Sequence, residues 1–493
     1  MSVSTHPFDT GVELTPDPRR VVVRFFVPGR EDVGPGDSRA GAVLDRILAL
    51  DEAVVVATVA DIDERFLHRH PDLHATFAHH ADLVASRITD GVALSPARRL
   101  LLGASFTHEY AIEAAALCNP SAVVHPLQGP GDDVAFVLSV RCIGEGHRSS
   151  IGFRTGRLTG AGTVTLDEPG PCPQTTTPTP GQNHTTVFHA KLADRLDDFE
   201  NAALVLNPLP ALFSDAALEE GISSLAADRA TRRNTHDTIE NLRAIARSSY
   251  ELHFPAHTAL SERVLWPHIV QESHGMEDAR FVRFTDDDGT IAYYATYTAF
   301  DGVNISQQLL ETTDFVGFTS SPLAGEAAVG KGLALFPRKI RGQYVALTRS
   351  DRETNSIAFS DDVRCWANAE TIQVPKEPWE ILQLGNCGPP IETERGWLVL
   401  THGVGPMRTY SLGAILLDLD HPQRVVARAT TPLVMPDELH RDGYVPNVVY
   451  SCGGFAHHDT LVLPYGRADQ SIAIATFSIA GILGSMTDEP PAG

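Results

Sequence analysis

Short runs of alternating apolar and polar residues dominate the second half of the chain. From about Trp266 onward, runs such as IAYYATYTAF and GWLVLTHGVG are bounded by Gly, Pro and Asp turns, the pattern of many short antiparallel strands. Two stretches break this pattern with apolar residues recurring at three and four positions, the period of an amphipathic helix. The first runs from Ser38, at a helix-capping position before RAGAVLDRILAL, to about Leu117. The second covers roughly Ala190 to Tyr250 and follows EPGPCPQTTTPTPGQNH, a Pro/Thr-rich stretch that reads as an extended loop. The first stretch carries His68, His70, His74, His79 and His80. Adjacent His79 and His80 point to different sides of a helix, so the group reads as a solvated face rather than a metal site.

The strand pattern repeats. DVAFVLSVRC, IAYYATYTAFDG, GQYVALTRSD, GWLVLTHGVG and DTLVLPYGRAD each alternate and then end on a polar residue, delivering Arg141, Tyr297, Arg349, His402 and Asp469. Each is preceded by a strand with small polar residues, as in NPSAVVHP and PNVVYSCGG, and followed by another, as in SIGFRTG and SIAIATF. Such units, roughly 50 residues apart outside the helical interruption, predict a five-bladed β-propeller rather than a sandwich. The fold expected is an all-β catalytic core with a helical N-terminal arm (1–117), a first blade (118–185), a helical insertion (186–262) and the remaining blades (263–493). In a propeller the innermost strands line one channel, so these polar ends converge on a funnel. Plain hairpin-turn residues are the alternative, but turns favour Asn, Gly, Asp and Ser over this set.

Charge narrows the chemistry. A formal charge of −23 over 493 residues, with no basic block, argues against a nucleic-acid partner. The six cysteines (Cys118, Cys142, Cys172, Cys365, Cys387, Cys452) have no metal-type spacing and suit free thiols in a reducing compartment. MSVSTHPFDTGVEL lacks the features of a signal peptide and no window is apolar enough to span a membrane, so a cytoplasmic location is expected. Neither a P-loop nor a dinucleotide fingerprint occurs in a strand–helix context. Arg349 can offer a planar fork to phosphate oxygens, with His402 and Lys331 adding charge. Gly403 and Gly405 beside His402 suggest that something approaches the imidazole closely. In GMEDARF, alternation sends Glu277 and Asp278 to opposite faces, so one of them faces the channel. An enclosed carboxyl there would have its pKa raised and act as a general acid toward a glycosidic oxygen, unless it pairs with Arg280 or Arg283 for structure. Tyr293, Tyr294, Tyr297, Phe300, Trp397 and Tyr410 could form a sugar-stacking wall or belong to the core.

GMEDARF, YYATYTAFDG, KGLALFPRKI, GNCGPPIETERGWLVLTHGVGPMR, GAILLDLDHPQRVV, GYVPNVVYSCGG and LPYGRAD together resemble glycoside hydrolase family 130, closely over about Trp266 to Phe477. The resemblance implies a five-bladed propeller acting on β-mannosides, mostly as an inverting phosphorylase that yields α-mannose 1-phosphate, while some members are hydrolases. It implies Asp278 as proton donor, acting through a sugar hydroxyl, with phosphate held by Arg349, His402 and Lys331. Asp469 is implied as a sugar contact, and Asn119, Arg141, Glu277, Arg280, Tyr297, Asp301, Asn386 and Asn447 complete the expected substrate site. β-1,2-linked manno-oligosaccharides are the expected substrates, with inorganic phosphate as co-substrate and neither metal nor organic cofactor. The chain departs from the family pattern at Ala279, where a proline is usual, and at Gln383, where many phosphorylases carry lysine. The positions before GYVPNVV that are typically acidic read His440 and Asp442. An inverting mannosidase using Asp442 or Glu438 to activate water, and a non-catalytic carbohydrate-binding propeller, are the alternatives. The helical arm and insertion are expected to cover the funnel or to form a contact between copies in a homo-oligomer.

Overall fold

The computed structural model describes residues 7–28, 39–70, 72–85, 93–194, 199–227, 234–438 and 441–489. Ser38 and His440 lie outside them. The chain divides into two compact units, one of Asp17–Ala114 with Gly170–Gln174 and the other of the remainder. Among the described residues, no helix is long and apolar enough to cross a membrane.

The smaller unit packs the helices Arg39–Ala49, Glu52–Phe66, Leu73–Ala85 and Pro96–Ser105 with a two-stranded antiparallel sheet of Val21–Phe25 and Thr107–Ala111. Ser95 caps the last helix by accepting the Arg98 N–H at 3.1 Å. Its histidines are not a uniformly solvated face. His70 is buried with Nε2 2.7 Å from Glu109, and buried His80 hydrogen-bonds Thr107. Burial, with His79 and Arg24 nearby, lowers His80 to about 4.

The larger unit is mostly β-sheet, and its ladders follow chain order. Ala116–Val124, Val134–Ile143 and Ser149–Leu158 pair in succession, as do Gly275–Thr285, Ile291–Phe300, Ile305–Thr312 and Gly317–Pro322. A third ladder joins Ala334–Leu335, Tyr344–Thr348, Asn355–Ser360 and Glu370–Gln373. The fourth joins Gln383–Asn386, Gly396–Gly405, Thr409–Leu417 and Val425–Arg428, and the fifth Val449–Tyr450, Thr460–Arg467 and Ser471–Ser478. The first two ladders merge into one sheet through a parallel contact at Gly275 and Ser149, and the other three are separate sheets.

Two differences from the sequence reading concern where strands come from. Phe8–Leu14, read as part of the helical arm, pairs with Ser471–Ser478 and so edges the last ladder. Its partly buried Val12 and Leu14 pack against the core of the first ladder, a contact between distant parts of the chain that no local pattern contains. The insertion forms the helices Thr185–Asp194, Phe199–Leu206, Asp215–Ala227 and Thr235–Ala246 around their own core, including Phe188, Leu192 and Leu242. The chain then returns as strand Tyr250–His253, paired with Gly317–Pro322.

Candidate active site

Strict alternation would place Glu277 and Asp278 on opposite faces, but the strand does not alternate there. A bulge shifts its register between Glu277 and Arg280, and Asp278 takes a left-handed φ of 55°. Both carboxylates therefore turn toward Arg141, whose guanidinium lies 2.6 Å from Glu277 and 3.7 Å from Asp278. Lys331 closes on the other Glu277 oxygen. Asn119, φ 47°, occupies the equivalent bulge in the first ladder, between Cys118 and Ser121. Such backbone conformations are costly for residues other than glycine and cluster where function requires them.

Asn119, Arg141, Asp278 and Lys331 line a cavity of about 210 Å³. Five cationic side chains face it, Arg141, Arg280, Lys331, Arg349 and Arg408, against the two carboxyls of Asp278 and Asp469. Asp278 Oδ1 is buried and accepts no hydrogen bond from the described chain.

Arg349 donates to His402 Nε2 at 2.6 Å, and His402 Nδ1 lies 3.2 Å from the Asn386 carbonyl. Because a guanidinium can only donate, Nε2 is the acceptor and the ring proton sits on Nδ1. Burial, reinforced by Arg349 and Arg280, holds the imidazole well below its usual pKa. His402 is therefore neutral and aims Arg349; it does not add the positive charge expected from sequence. The glycine that permits this contact is Gly385, where a Cβ would come 2.6 Å from Arg349 Cδ and 2.9 Å from His402. Gly403 and Gly405 instead make room for Trp379.

The family model described as beta-1,4-mannooligosaccharide phosphorylase (Glyco_hydro_130) matches residues 233–488, more than half of the chain. The chain belongs to glycoside hydrolase family 130. Family 130 relatives include a 1,2-beta-oligomannan phosphorylase of Thermoanaerobacter, 36% identical over 230 residues that span 45% of this chain and 75% of that protein. A beta-1,2-mannobiose phosphorylase of Listeria innocua is 32% identical over 248 residues, 48% of this chain and 67% of that protein. A solved structure of the Listeria innocua beta-1,2-mannobiose phosphorylase with beta-1,2-mannobiose aligns over 76% of this chain and 92% of that one, at 22% identity and a TM-score of 0.45. Membership makes this chain an enzyme of the glycosidase and glycoside phosphorylase class.

Of the site residues expected in this family 130 chain, the fold brings Asn119, Arg141, Asp278, Arg280, Lys331, Arg349, Asn386, His402 and Asp469 to the one cavity. Glu277 stands behind them, pairing Arg141 and Lys331. Three expected residues lie elsewhere. Tyr297 is buried in the second ladder, its hydroxyl donating to Glu272 at 2.5 Å. Asp301 closes a turn by accepting the N–H groups of Val303 and Asn304. Asn447 sits beside the cavity, with its backbone bonded to Arg441 and Tyr410. The aromatic wall is also different: Trp397 and Tyr293 are core, and Tyr410 and Tyr450 line the cavity. Gln383 reaches the Tyr410 hydroxyl at 3.5 Å.

Arg408, Tyr450, Val445 and Val448 were not singled out in the sequence. Arg408 ends GPMR, the tight connection after Gly396–Gly405, where Met407 and Arg408 both have left-handed φ. Glu145–His147 makes the same kind of connection in the first ladder, with left-handed φ at Gly146 and His147, so aligning the repeats past the strand ends would have marked the position.

The two carboxyls are tuned apart. Burial works to raise Asp278, but Lys331, Arg141, Arg280 and Arg349 outweigh it and hold the carboxyl below its usual range, opposite to the raised value expected from sequence. Burial pushes Asp469 up to about 6, with Arg141 opposing and Asp278 adding to the rise.

Proposed function

We propose that the chain is an inverting phosphorylase of β-mannosides, with β-1,2-linked manno-oligosaccharides as substrates and α-mannose 1-phosphate as product. The observation that carries this reading is the cation excess: five cationic side chains around one small cavity, in a protein of net charge −23. Even with Glu277 behind them, carboxylates leave part of that charge uncompensated, which suits a bound dianion. The relatives named as phosphorylases of 1,2-linked mannosides support the same substrate class.

In this reading Arg349, aimed by neutral His402 and assisted by Lys331, holds phosphate. A phosphate oxygen attacks the anomeric carbon from the face opposite the glycosidic oxygen. The new C–O bond forms as the glycosidic bond breaks, and the departing oxygen takes a proton that originates on Asp278 and passes through a sugar hydroxyl. The lowered pKa of Asp278 is then a property of the cations that surround it. A phosphate dianion among them adds negative potential and draws the carboxyl back toward its protonated form, so that phosphate binding prepares the acid. Asn119, Arg280, Asn386 and Asp469 are assigned to the sugar. The five ladders are proposed to close as the five blades of a propeller, with Phe8–Leu14 completing the last.

Hydrolysis is the second reading, favoured by one observation: Asp469 is a further lining carboxyl. Asp442 and Glu438, expected for that role from sequence, are exposed and do not line the cavity. The deciding experiment measures mannose and mannose 1-phosphate released from β-1,2-manno-oligosaccharides with and without inorganic phosphate. Phosphate-dependent mannose 1-phosphate is expected; free mannose formed at the same rate without phosphate would overturn the phosphorylase reading.

A further inference from the structure

Away from the cavity, His457 and His458 end a hairpin in the fifth ladder, where Phe455–His457 pairs with Thr460–Arg467. Consecutive residues of an extended strand point to opposite faces. Here they do not, because His458 has a left-handed φ of 51°, and the two rings lie with centroids 4.0 Å apart. Facing them is Asp132, on the connection between Ala116–Val124 and Val134–Ile143 of the first ladder. Its Oδ1 is 3.7 Å from His457 Nε2 and 3.5 Å from His458 Nε2, and one ligand atom from each of the three residues lies within 4.8 Å of the others. His457 Nε2 is shielded from solvent and has no hydrogen-bond partner among the described residues. The Asp132 connection is held in place where Asp133 accepts the Gly160 N–H at 3.1 Å.

We propose that Asp132, His457 and His458 form a binding site for a divalent ion of the zinc class that ties the first ladder to the last. Tetrahedral bonds of about 2.0–2.2 Å to nitrogen and oxygen set ligand atoms roughly 3.3–3.6 Å apart, close to the two separations seen here. Two imidazoles and one carboxylate select a borderline transition ion over Mg2+ or Ca2+, which prefer an all-oxygen shell. The fourth position is open to water. The strained φ of His458 fits this role, since it brings into one site two rings that a regular strand would separate. An ion bound here joins chain segments more than 320 residues apart in sequence, so it stabilises the folded state by mass action. None of the three residues lines the catalytic cavity, and the site stands or falls independently of the phosphorylase reading.

The test uses the full chain without a histidine tag, stripped with a chelator and dialysed. Zn2+ titration by calorimetry should give one saturable ion per chain with Kd below about 10 µM, and melting temperature should rise with Zn2+ but not with Mg2+. His457→Ala and Asp132→Ala should each weaken binding at least tenfold and abolish the zinc-dependent rise, while phosphate-dependent turnover is unchanged. Their melting temperatures without zinc report whether they fold, and His458→Ala provides a third, exposed position. Absence of saturable zinc binding, binding unaltered in the variants, or an equal response to Mg2+ would overturn the site and leave these residues as an ion pair between imidazole and carboxylate.

Discussion

Asp278 and Asp469 are the same residue type in the same cavity, yet they are pushed in opposite directions because one is ringed by cations and the other mainly by burial. Replacing Asp278 by Asn keeps the shape and removes the proton; turnover should fall about 10²–10⁴-fold with mannoside binding retained by calorimetry. Full activity in that variant would sink the assignment. For Asp469 the folded pKa of about 6 lies above the ordinary 3.8, so between these values the folded state holds more protons than the unfolded. Its contribution to stability is present at low pH and is lost as pH rises through about 6. Asp469→Asn should therefore raise the melting temperature relative to wild type more at pH 7.5 than at pH 4. An identical difference at both would show that burial does not act on this carboxyl as argued. For Asp278 the sign reverses: its contribution is present above the ordinary carboxylate pKa and is lost as pH falls through its lowered one. The identities of both acids could be read in the sequence. Their protonation could not, because the neighbours that set it come from other ladders.

At the scale of single elements, the strand Gly275–Thr285 teaches the most. Alternation alone leaves one of Glu277 and Asp278 facing away, whereas the bulge lets both meet Arg141. GMEDARF carries no glycine at Asp278 to announce a left-handed residue, so the bulge was not legible. Gly385 shows the converse, a residue present in the motif whose purpose appears only once Arg349 lies against it. Gly385→Ala would push Arg349 off His402 and should raise KM for phosphate by about 10- to 10²-fold with a smaller change for the mannoside. Equal changes in both would argue against a phosphate contact at Arg349. The edge strand Phe8–Leu14 belongs to the same lesson. Its removal should lower the melting temperature by several degrees, because Ser471–Ser478 loses its outer partner while keeping Thr460–Arg467, and Val12 and Leu14 leave the first-ladder core. An unchanged melting temperature would mean that this pairing contributes little.

Taken whole, the molecule is strongly acidic and yet gathers Arg141, Arg280, Lys331, Arg349 and Arg408 in one place. Crowded like charges oppose folding, so an anion that fills the cavity should stabilise the protein: at a hundred times its Kd, phosphate would contribute about 2.7 kcal/mol. Melting temperature should climb with phosphate in the wild type and respond weakly in Arg349→Ala; equal responses would place the anion elsewhere. The strand-rich repeat, the helical interruptions, family 130 membership and most of the cavity's residues were determined by the sequence alone, because period, turn chemistry and motif order are local properties of a chain. Tertiary structure alone decided that His402 is neutral, that Asp278 sits low and Asp469 high, that Tyr297 is core and Arg408 lines the cavity, and that residues 8–14 edge the last ladder. Each of these depends on contacts between segments far apart in sequence, and burial and Coulomb forces act on distances in space that no local pattern records.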